Sequence, residues 1–251
     1  NEGFFLADFP VLDLGWETAT TTSVGFDGLF FNNSLSVTVE YYNRLTEGIL
    51  QAVALPLVVG NTQDPVFNIA SVRNQVFEFA VGYNLRIGEV DFYINGNLTT
   101  VDNEVVELAG GDPFGGNTNR VEEGFPLNYL WGYEVGGIHQ TQEEVNAYLA
   151  TTSDQQSDDT RRAPGDIFFE DKFGPATEEG EFRSEGADGV VNTLDQTFLG
   201  NTIPGFFYGL NLGANWRGFD VSVFFQGIGD VQKYNSIRRR GESMSVPGVN
   251  Q

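Results

Sequence analysis

From Phe77 the chain alternates. Odd positions read Phe77, Phe79, Val81, Tyr83, Leu85 and Ile87, while even positions read Glu78, Ala80, Gly82, Asn84 and Arg86. A period of two puts the first set on one face of a strand and the second on the other. After Gly88-Glu89 the pattern resumes, with Val90, Phe92, Ile94, Gly96 and Leu98 against Asp91, Tyr93, Asn95, Asn97 and Thr99. The spacing predicts a hairpin of two long strands. A second hairpin is predicted at Arg217-Gly218, where Phe206, Tyr208, Leu210, Leu212, Ala214 and Trp216 alternate with Gly209, Asn211, Gly213 and Asn215. Its return strand sets Phe219, Val221, Val223 and Phe225 against Asp220, Ser222 and Gln226. A third turns at Asn32-Asn33, between 17–30 and 34–45, with Leu35, Val37, Val39 and Tyr41 opposing Ser36, Thr38 and Glu40.

These strands run about ten residues or more, whereas soluble strands cluster near five or six, and about ten is what a tilted strand needs to cross a bilayer. Their polar faces are rich in Gly, Asn, Ser and Thr, which suits a water-facing lumen. Trp16, Tyr41, Tyr42, Trp131 and Trp216 fall near strand ends and read either as an interfacial girdle or as ordinary core packing. Three tight turns contrast with long polar segments at 46–71, 102–124 and 139–204, the layout of an outer-membrane barrel. The expected fold class is therefore all-β: long antiparallel hairpins forming part of a large transmembrane β-barrel, with long extracellular loops. Within 139–204, Thr141-Gln142-Glu143-Glu144 opens a short helix over 141–150 in the manner of a capping box, and 152–162 is polar. That loop is expected to carry function.

Composition narrows the chemistry. Thirty-one glycines and nine prolines favour strands and turns over helices. A formal charge of -22 opposes polyanion binding, so no nucleic-acid partner is expected. Arg238-Arg239-Arg240 reads as a solvated or headgroup-facing loop, Lys172 and Lys233 are the only lysines, and so acidic a surface suits a saline habitat. There is no cysteine, which excludes disulfides and thiolate chemistry. His139 is the only imidazole available to a nucleophilic triad or a histidine metal site, and it reads as a residue of a glycine-rich loop. Among 35 acidic residues no pair stands out for glycoside hydrolysis. The expectation is no enzyme and no catalytic residue. Gly110-Gly111 and Gly115-Gly116 flank Asp112-Pro113-Phe114 without a following Gly-Lys-Ser/Thr, a flexible loop rather than a phosphate cradle. Asn1-Glu2-Gly3-Phe4 lacks the basic start of a signal peptide, so the chain is expected to begin inside a longer protein. No apolar run reaches the roughly 18 residues of a membrane helix.

One acidic segment fits part of a calcium-loop frame. Asp188 takes position five, Gly189 six, Val190 the carbonyl donor at seven, Val191 eight and Asp195 twelve. Ser184 and Gly186 fall where the first carboxylates belong, and Asn192 is a weaker donor. The alternative is a solvated acidic loop with a glycine turn. Calcium is the only cofactor the sequence suggests.

Several segments resemble, in order, the C-terminal half of SusC/RagA-type TonB-linked receptors. Leu14-Gly15-Trp16-Glu17-Thr18 resembles the family's L-x-W-E-T strand opening and Tyr41-Tyr42-Asn43-Arg44 its D-Y-Y-N strand. Ser71-Val72-Arg73-Asn74 resembles the start of G-x-V-x-N-x-G-x-E, with Gln75-Val76-Phe77-Glu78 replacing the usual glycine. Pro164-Gly165-Asp166-Ile167-Phe168-Phe169-Glu170-Asp171 resembles P-G-D-I-x-F-x-D. Asp188-Gly189-Val190-Val191-Asn192 with Leu194-Asp195-Gln196-Thr197 resembles D-G-x-I-x-x-x-D-x-T. The most specific match runs from Ile203-Pro204 through Tyr208-Gly209-Leu210-Asn211 to Gly218–Gly227. Relative to that family 172–187 is an insertion, across which Asp171 would supply the first calcium ligand.

The resemblance implies a plugged barrel of about 22 strands, of which 1–251 would be a partial barrel of about eight, without plug, TonB box or terminal strand. It implies import of glycan oligosaccharides or peptides, driven by the TonB complex through the absent N-terminal part. A SusD-like surface lipoprotein is the implied partner, in the outer membrane, among its lipid, of a Gram-negative, Bacteroidetes-type cell. Two alternatives stay open: a TonB-dependent siderophore or cobalamin receptor, and a secreted β-rich binding or adhesion module. The last would have strands of ordinary length and both sheet faces covered.

Overall fold

The computed structural model describes residues 14–52, 66–111, 113–116, 118–156, 161–178 and 182–238. Asn1 to Phe4, Asp112 in the glycine-rich loop, part of 152–162, and Arg239 and Arg240 lie outside the described residues. The chain forms two compact units, one of 1–115, 120–128 and 201–251, the other of 116–119 and 129–200.

The first unit is a six-stranded sheet in the order β1 (Thr18–Phe30), β2 (Leu35–Ala52), β3 (Val66–Ile87), β4 (Val90–Leu108), β5 (Phe206–Trp216) and β6 (Phe219–Gly229), every neighbouring pair antiparallel. Register decides what each face carries. Val39 lies opposite Phe26 and Phe79, Phe79 opposite Leu98, Leu98 opposite Tyr208, and Tyr208 opposite Gly227. One step along, Val37, Val81, Gly96, Leu210 and Phe225 line up in the same way. The apolar sets of all six strands thus share a single face. Thr38, Ala80, Asn97, Gly209 and Gln226 make a corresponding row on the other.

The apolar band has a definite height. It runs eleven residues along β5 and β6, and along β3 and β4 it extends from the pair Phe77–Thr100 to the pair Ile87–Val90. Eleven residues rising about 3.3 Å each and tilted by about 40° span roughly 25 to 30 Å, the height of a lipid-facing band. Phe26, Val221 and Phe225 on this face are each more than half exposed.

Above the band the faces exchange character. The face that carries Phe77 and Phe79 continues as Gln75 and Arg73, paired with Asp102 and Glu104, and Arg73 meets Glu104 at 3.3 Å. The opposite face, polar from Glu78 to Arg86, becomes Val76, Val72 and Val105, all nearly fully buried. There Ala70, Val72, Val105, Leu108 and Val121 form a core with Ile49, Phe114 and Leu127 packed against it. Segment 121–127 is tied to β4 by Val105, whose N–H donates to the Phe125 carbonyl (2.9 Å) and whose carbonyl accepts from Gly124 (2.9 Å). A strand leaving an apolar solvent for water changes faces in this way, because the outer side now meets water and the inner side meets protein.

Two expectations change. The described sheet has six strands, not about eight, and β2, β3 and β4 extend well into segments read as loop. The reversal of polarity and the register shifts at Thr46/Ile49, Ile49/Leu50 and Ser71/Val72 interrupt the period of two, so these extensions look irregular in sequence. The tight turns do fall at Phe31–Ser34, Gly88-Glu89 and Arg217-Gly218, with positive φ at Asn32 (54°), Asn33 (66°), Gly88 (63°), Arg217 (47°) and Gly218 (87°). Neighbouring turns are pinned by Arg217 to Glu89 at 2.5 Å, and beside them Arg86 reaches Asp91 at 3.6 Å.

Of the aromatics read as a girdle, Trp216 stacks on Phe219 at the turn end of the band (centroids 6.4 Å apart). Tyr41 pairs with Phe77 at the other end. Tyr42 projects from the opposite face, paired with Val76. Trp16 is almost fully exposed, and Trp131 belongs to the second unit.

Arginine at Val81, near mid-height of the apolar face, is expected to cost the intact barrel about 2 to 4 kcal/mol. Arginine at exposed Asn84, on the opposite face, is expected to cost under about 1 kcal/mol. Gly82 is unsuitable for the comparison, because a Cβ there would meet Ser36 Oγ at 2.5 Å. Urea unfolding of the full-length protein in lipid vesicles reads both, and equal losses would refute the lipid-facing assignment.

Candidate functional site

The polar face of the sheet is built from small side chains and carboxamides. Ser36, Thr38, Asn95, Asn97 and Asn211 surround a hollow of about 260 Å³ with Gly82 and Gly209 in its lining and Phe224 beside it. The glycines fit because their neighbours occupy the space a side chain would need: a Cβ on Gly209 would meet Asn97 Oδ1 at 3.0 Å. No charged residue lines this hollow. It can offer hydrogen bonds to a neutral polar group, but it has no group to move a proton. Elsewhere on the face Tyr93 lies directly over Gly213, its cross-strand partner, so an aromatic ring fills the strand where no side chain exists.

The second unit contains the acidic segment. Asp195, fully buried, accepts from the N–H groups of Lys172 (2.7 Å) and Phe173 (2.9 Å) at Oδ1 and of Asn192 (2.8 Å) at Oδ2. Asp171 accepts from Asp188 N–H (3.1 Å) and Gly189 N–H (2.6 Å), one at each oxygen. Asp188 accepts from Val190 N–H at 2.8 Å, and the Val190 carbonyl accepts from Asn192 Nδ2 at 3.2 Å. Asn192 caps a 3-10 turn, Thr193–Asp195, with Oδ1 accepting from Leu194 N–H. Hydrogen bonds therefore tie Asp171 to the start of the 188–195 segment and Asp195 to the chain just after Asp171. Each of the three carboxylates in the expected calcium set accepts at least one main-chain N–H, whereas a calcium ion takes six to eight oxygens. Among the described residues no three His, Asp or Glu side chains are grouped to hold a metal. Burial, then the negative charges of Asp195 and Asp154, push the nearby Tyr133 phenol above its ordinary value, so it stays a neutral hydroxyl at neutral pH.

Around it is a small aromatic core. Helix α1 (Gln142–Leu149) is capped by Thr141, whose Oγ1 accepts from Glu144 N–H at 3.2 Å, and it buries Val145. Tyr148, on its last turn, lies against Phe168 (5.4 Å), Phe168 stacks on His139 (4.8 Å), and the Arg162 guanidinium sits 4.9 Å from the Tyr148 ring. Arg162 pairs with Asp154 at 2.5 Å with both side chains buried, and it also donates to the Ile167 carbonyl. His139, read from sequence as a loop residue, is buried in this core. Trp131, in the strand Tyr129–Tyr133, donates to Gln196 Oε1 at 2.9 Å and meets Tyr129 edge-on, which is core packing and not a membrane girdle.

No family model matches the chain. It is 29% identical to the TonB-dependent receptor SusC of Bacteroides thetaiotaomicron, over 94% of this chain and 22% of that protein. It is 27% identical to a TonB-dependent receptor of Formosa agariphila, over 92% of this chain and 22% of that protein. Its fold superposes on the RagAB peptide importer in the open-open state with a TM-score of 0.66 and 20% identity, over 90% of this chain and 22% of that one. This chain resembles one stretch of a SusC/RagA-type TonB-dependent receptor. It spans about a fifth of the length of the curated relatives it matches. The fold is that of part of a SusC/RagA-like barrel, all-β and antiparallel, and among the described residues no helix is long and apolar enough to cross a membrane.

Sequence reading found the acidic residues of this SusC-like stretch and missed the basic ones. Arg162 and Arg183 stand in polar segments without a pattern, and their partners lie five to thirteen residues away in short, scattered elements. Replacing Arg162 by Met leaves buried Asp154 without its guanidinium, an imbalance of about 3 to 5 kcal/mol. Hydrogen exchange of the full-length protein is expected to show that loss as faster exchange of the amides around Asp154 and Ile167. Retained protection there would show that the pair contributes little.

Proposed function

We propose that the chain is a section of barrel wall from an outer-membrane, TonB-dependent transporter of the SusC type, importing glycan oligosaccharides or peptides. The observation that carries this reading is the apolar face shared in register by six strands, about one bilayer tall and bounded by an exchange of polarity. A soluble sheet would have to cover that face. Supporting the transport activity, one relative is the TonB-dependent receptor SusC and the superposable structure is that of the RagAB peptide importer.

On this reading residues 1–251 are part of one barrel, with 139–204 an extracellular loop, in the outer membrane of a Bacteroidetes-type Gram-negative cell. The polar face, with its carboxamide-lined hollow, borders the lumen. A SusD-like surface lipoprotein captures the substrate, and the TonB complex acts through a part of the protein outside this chain. No catalytic step is assigned: the relatives are named as receptors, and the chain's single imidazole is packed in an aromatic core. A calcium loop at Asp171, Asp188, Val190, Asn192 and Asp195 is the competing reading of the acidic segment, favoured by the hydrogen bonds that bring Asp171 against the 188–195 segment.

The test is purification of the full-length parent from outer-membrane fractions. A heat-modifiable barrel is expected, with a surface lipoprotein co-purifying and uptake of a labelled oligosaccharide or peptide that stops when TonB is deleted. TonB-dependent uptake of a siderophore or cobalamin alone would replace the substrate class. A soluble domain of this length folding without lipid would refute the barrel.

A further inference from the structure

The acidic segment carries a cation of its own, Arg183. Between Asp171 and Asp188 the chain forms a small hairpin, Phe173–Pro175 paired with Arg183–Glu185, closed further by Ser184 Oγ donating to the Pro175 carbonyl at 2.9 Å. Arg183 leaves this hairpin with its guanidinium 3.6 Å from the Phe173 ring centroid, and its Nη1 donates to the carbonyls of Leu194 and Gln196, each at 2.6 Å. Those carbonyls lie immediately before and after Asp195, the buried carboxylate of the segment. In a calcium loop a divalent cation gathers carboxylate and carbonyl oxygens and so holds an irregular turn closed. Here the carboxylates are held by main-chain N–H groups, and carbonyls on both sides of Asp195 are gathered by an arginine.

We infer that this is a calcium-type loop closed by an internal guanidinium in place of a metal: the pairing of Phe173–Pro175 with Arg183–Glu185 delivers Arg183, and the loop closes without calcium. Guanidinium suits the role. It carries its charge at every physiological pH, stacks on an aromatic ring, and offers several donors in a fixed plane. The hairpin is further positioned by Lys172, whose Nζ meets Glu134 at 2.5 Å and whose carbonyl accepts from Gly186 N–H at 2.9 Å.

Limited proteolysis of the full-length protein in vesicles tests this, with and without a calcium chelator, reading cleavage between 171 and 196 while heat-modifiable mobility reports the barrel. The wild-type protein is expected to be cleaved at the same rate in chelator and in excess calcium. Arg183→Ala is expected to be cleaved roughly tenfold faster in both, since two charge-assisted hydrogen bonds are lost and cleavage follows the opened population. Arg183→Lys, which keeps the charge but not the planar donors, is expected to fall between. Chelator-sensitive cleavage of the wild type that calcium reverses would overturn the inference, as would Arg183→Ala cleaved like wild type.

Discussion

Everything in the first unit follows from one constraint: six strands pair edge to edge, and all of them turn their apolar residues to the same side. Within the sheet, backbone N–H and C=O groups are satisfied by neighbouring strands, so the remaining demand comes from side chains alone. On one side that demand is for a solvent without hydrogen-bonding power over the length of Phe77 to Ile87. On the other it is for water or polar protein. A one-residue slip in any strand would move its whole apolar set to the wrong side, which is why bulges are confined to the part of β2, β3 and β4 beyond the band. There both faces meet protein or water and a local change of side is tolerated.

The second unit solves a different problem, how to order a long acidic segment with little regular structure. Its answer is to bury a few carboxylates and turn backbone N–H groups onto them. Asp195 alone accounts for three such donors, drawn from two separate stretches of chain. Each bond to a charged acceptor contributes more than a neutral one, of order 1.5 to 3 kcal/mol, and each satisfies an N–H that the irregular chain would otherwise leave without a partner. Arginine then completes what carboxylates cannot, since carbonyls need donors. Arg183 takes two of them and Arg162 one, in addition to its pairing with Asp154.

How far the sequence revealed this differs between the units for a physical reason. In β3, β4, β5 and β6 the burial demand repeats every two residues, and the pattern is written directly into the chain from Phe77 to Leu98 and from Phe206 to Phe225. The tight turns were legible because Asn, Gly and the Arg217-Gly218 pair stand where positive φ is required. Beyond Val76 the strands continue but the solvent changes, so the same alternation carries opposite meanings on either side of one residue and reads as noise. In the acidic loop the turn residues Asp188, Gly189 and Asn192 were visible, and so was Asp171 as a participant. What the carboxylates hold was not. The spacing of carboxylates does not say which main-chain N–H groups they accept from, and Arg183, twelve residues before Asp195, is marked by no periodicity.

The charge balance follows from the same placements. Arg73, Arg86, Arg120, Arg162, Lys172 and Arg217 are each paired with a carboxylate, and Arg183 is turned onto carbonyls. With 13 basic against 35 acidic residues the net field of the chain is negative whatever the pairing. That field repels polyanions before any specific contact forms. The hollow on the polar face, lined by Ser, Thr, Asn and Gly and lacking a charged residue, adds no attraction for them either. Of the ion pairs, Arg162 with Asp154 is buried, whereas Arg86 and Arg217 meet their carboxylates at the exposed turn end of the sheet.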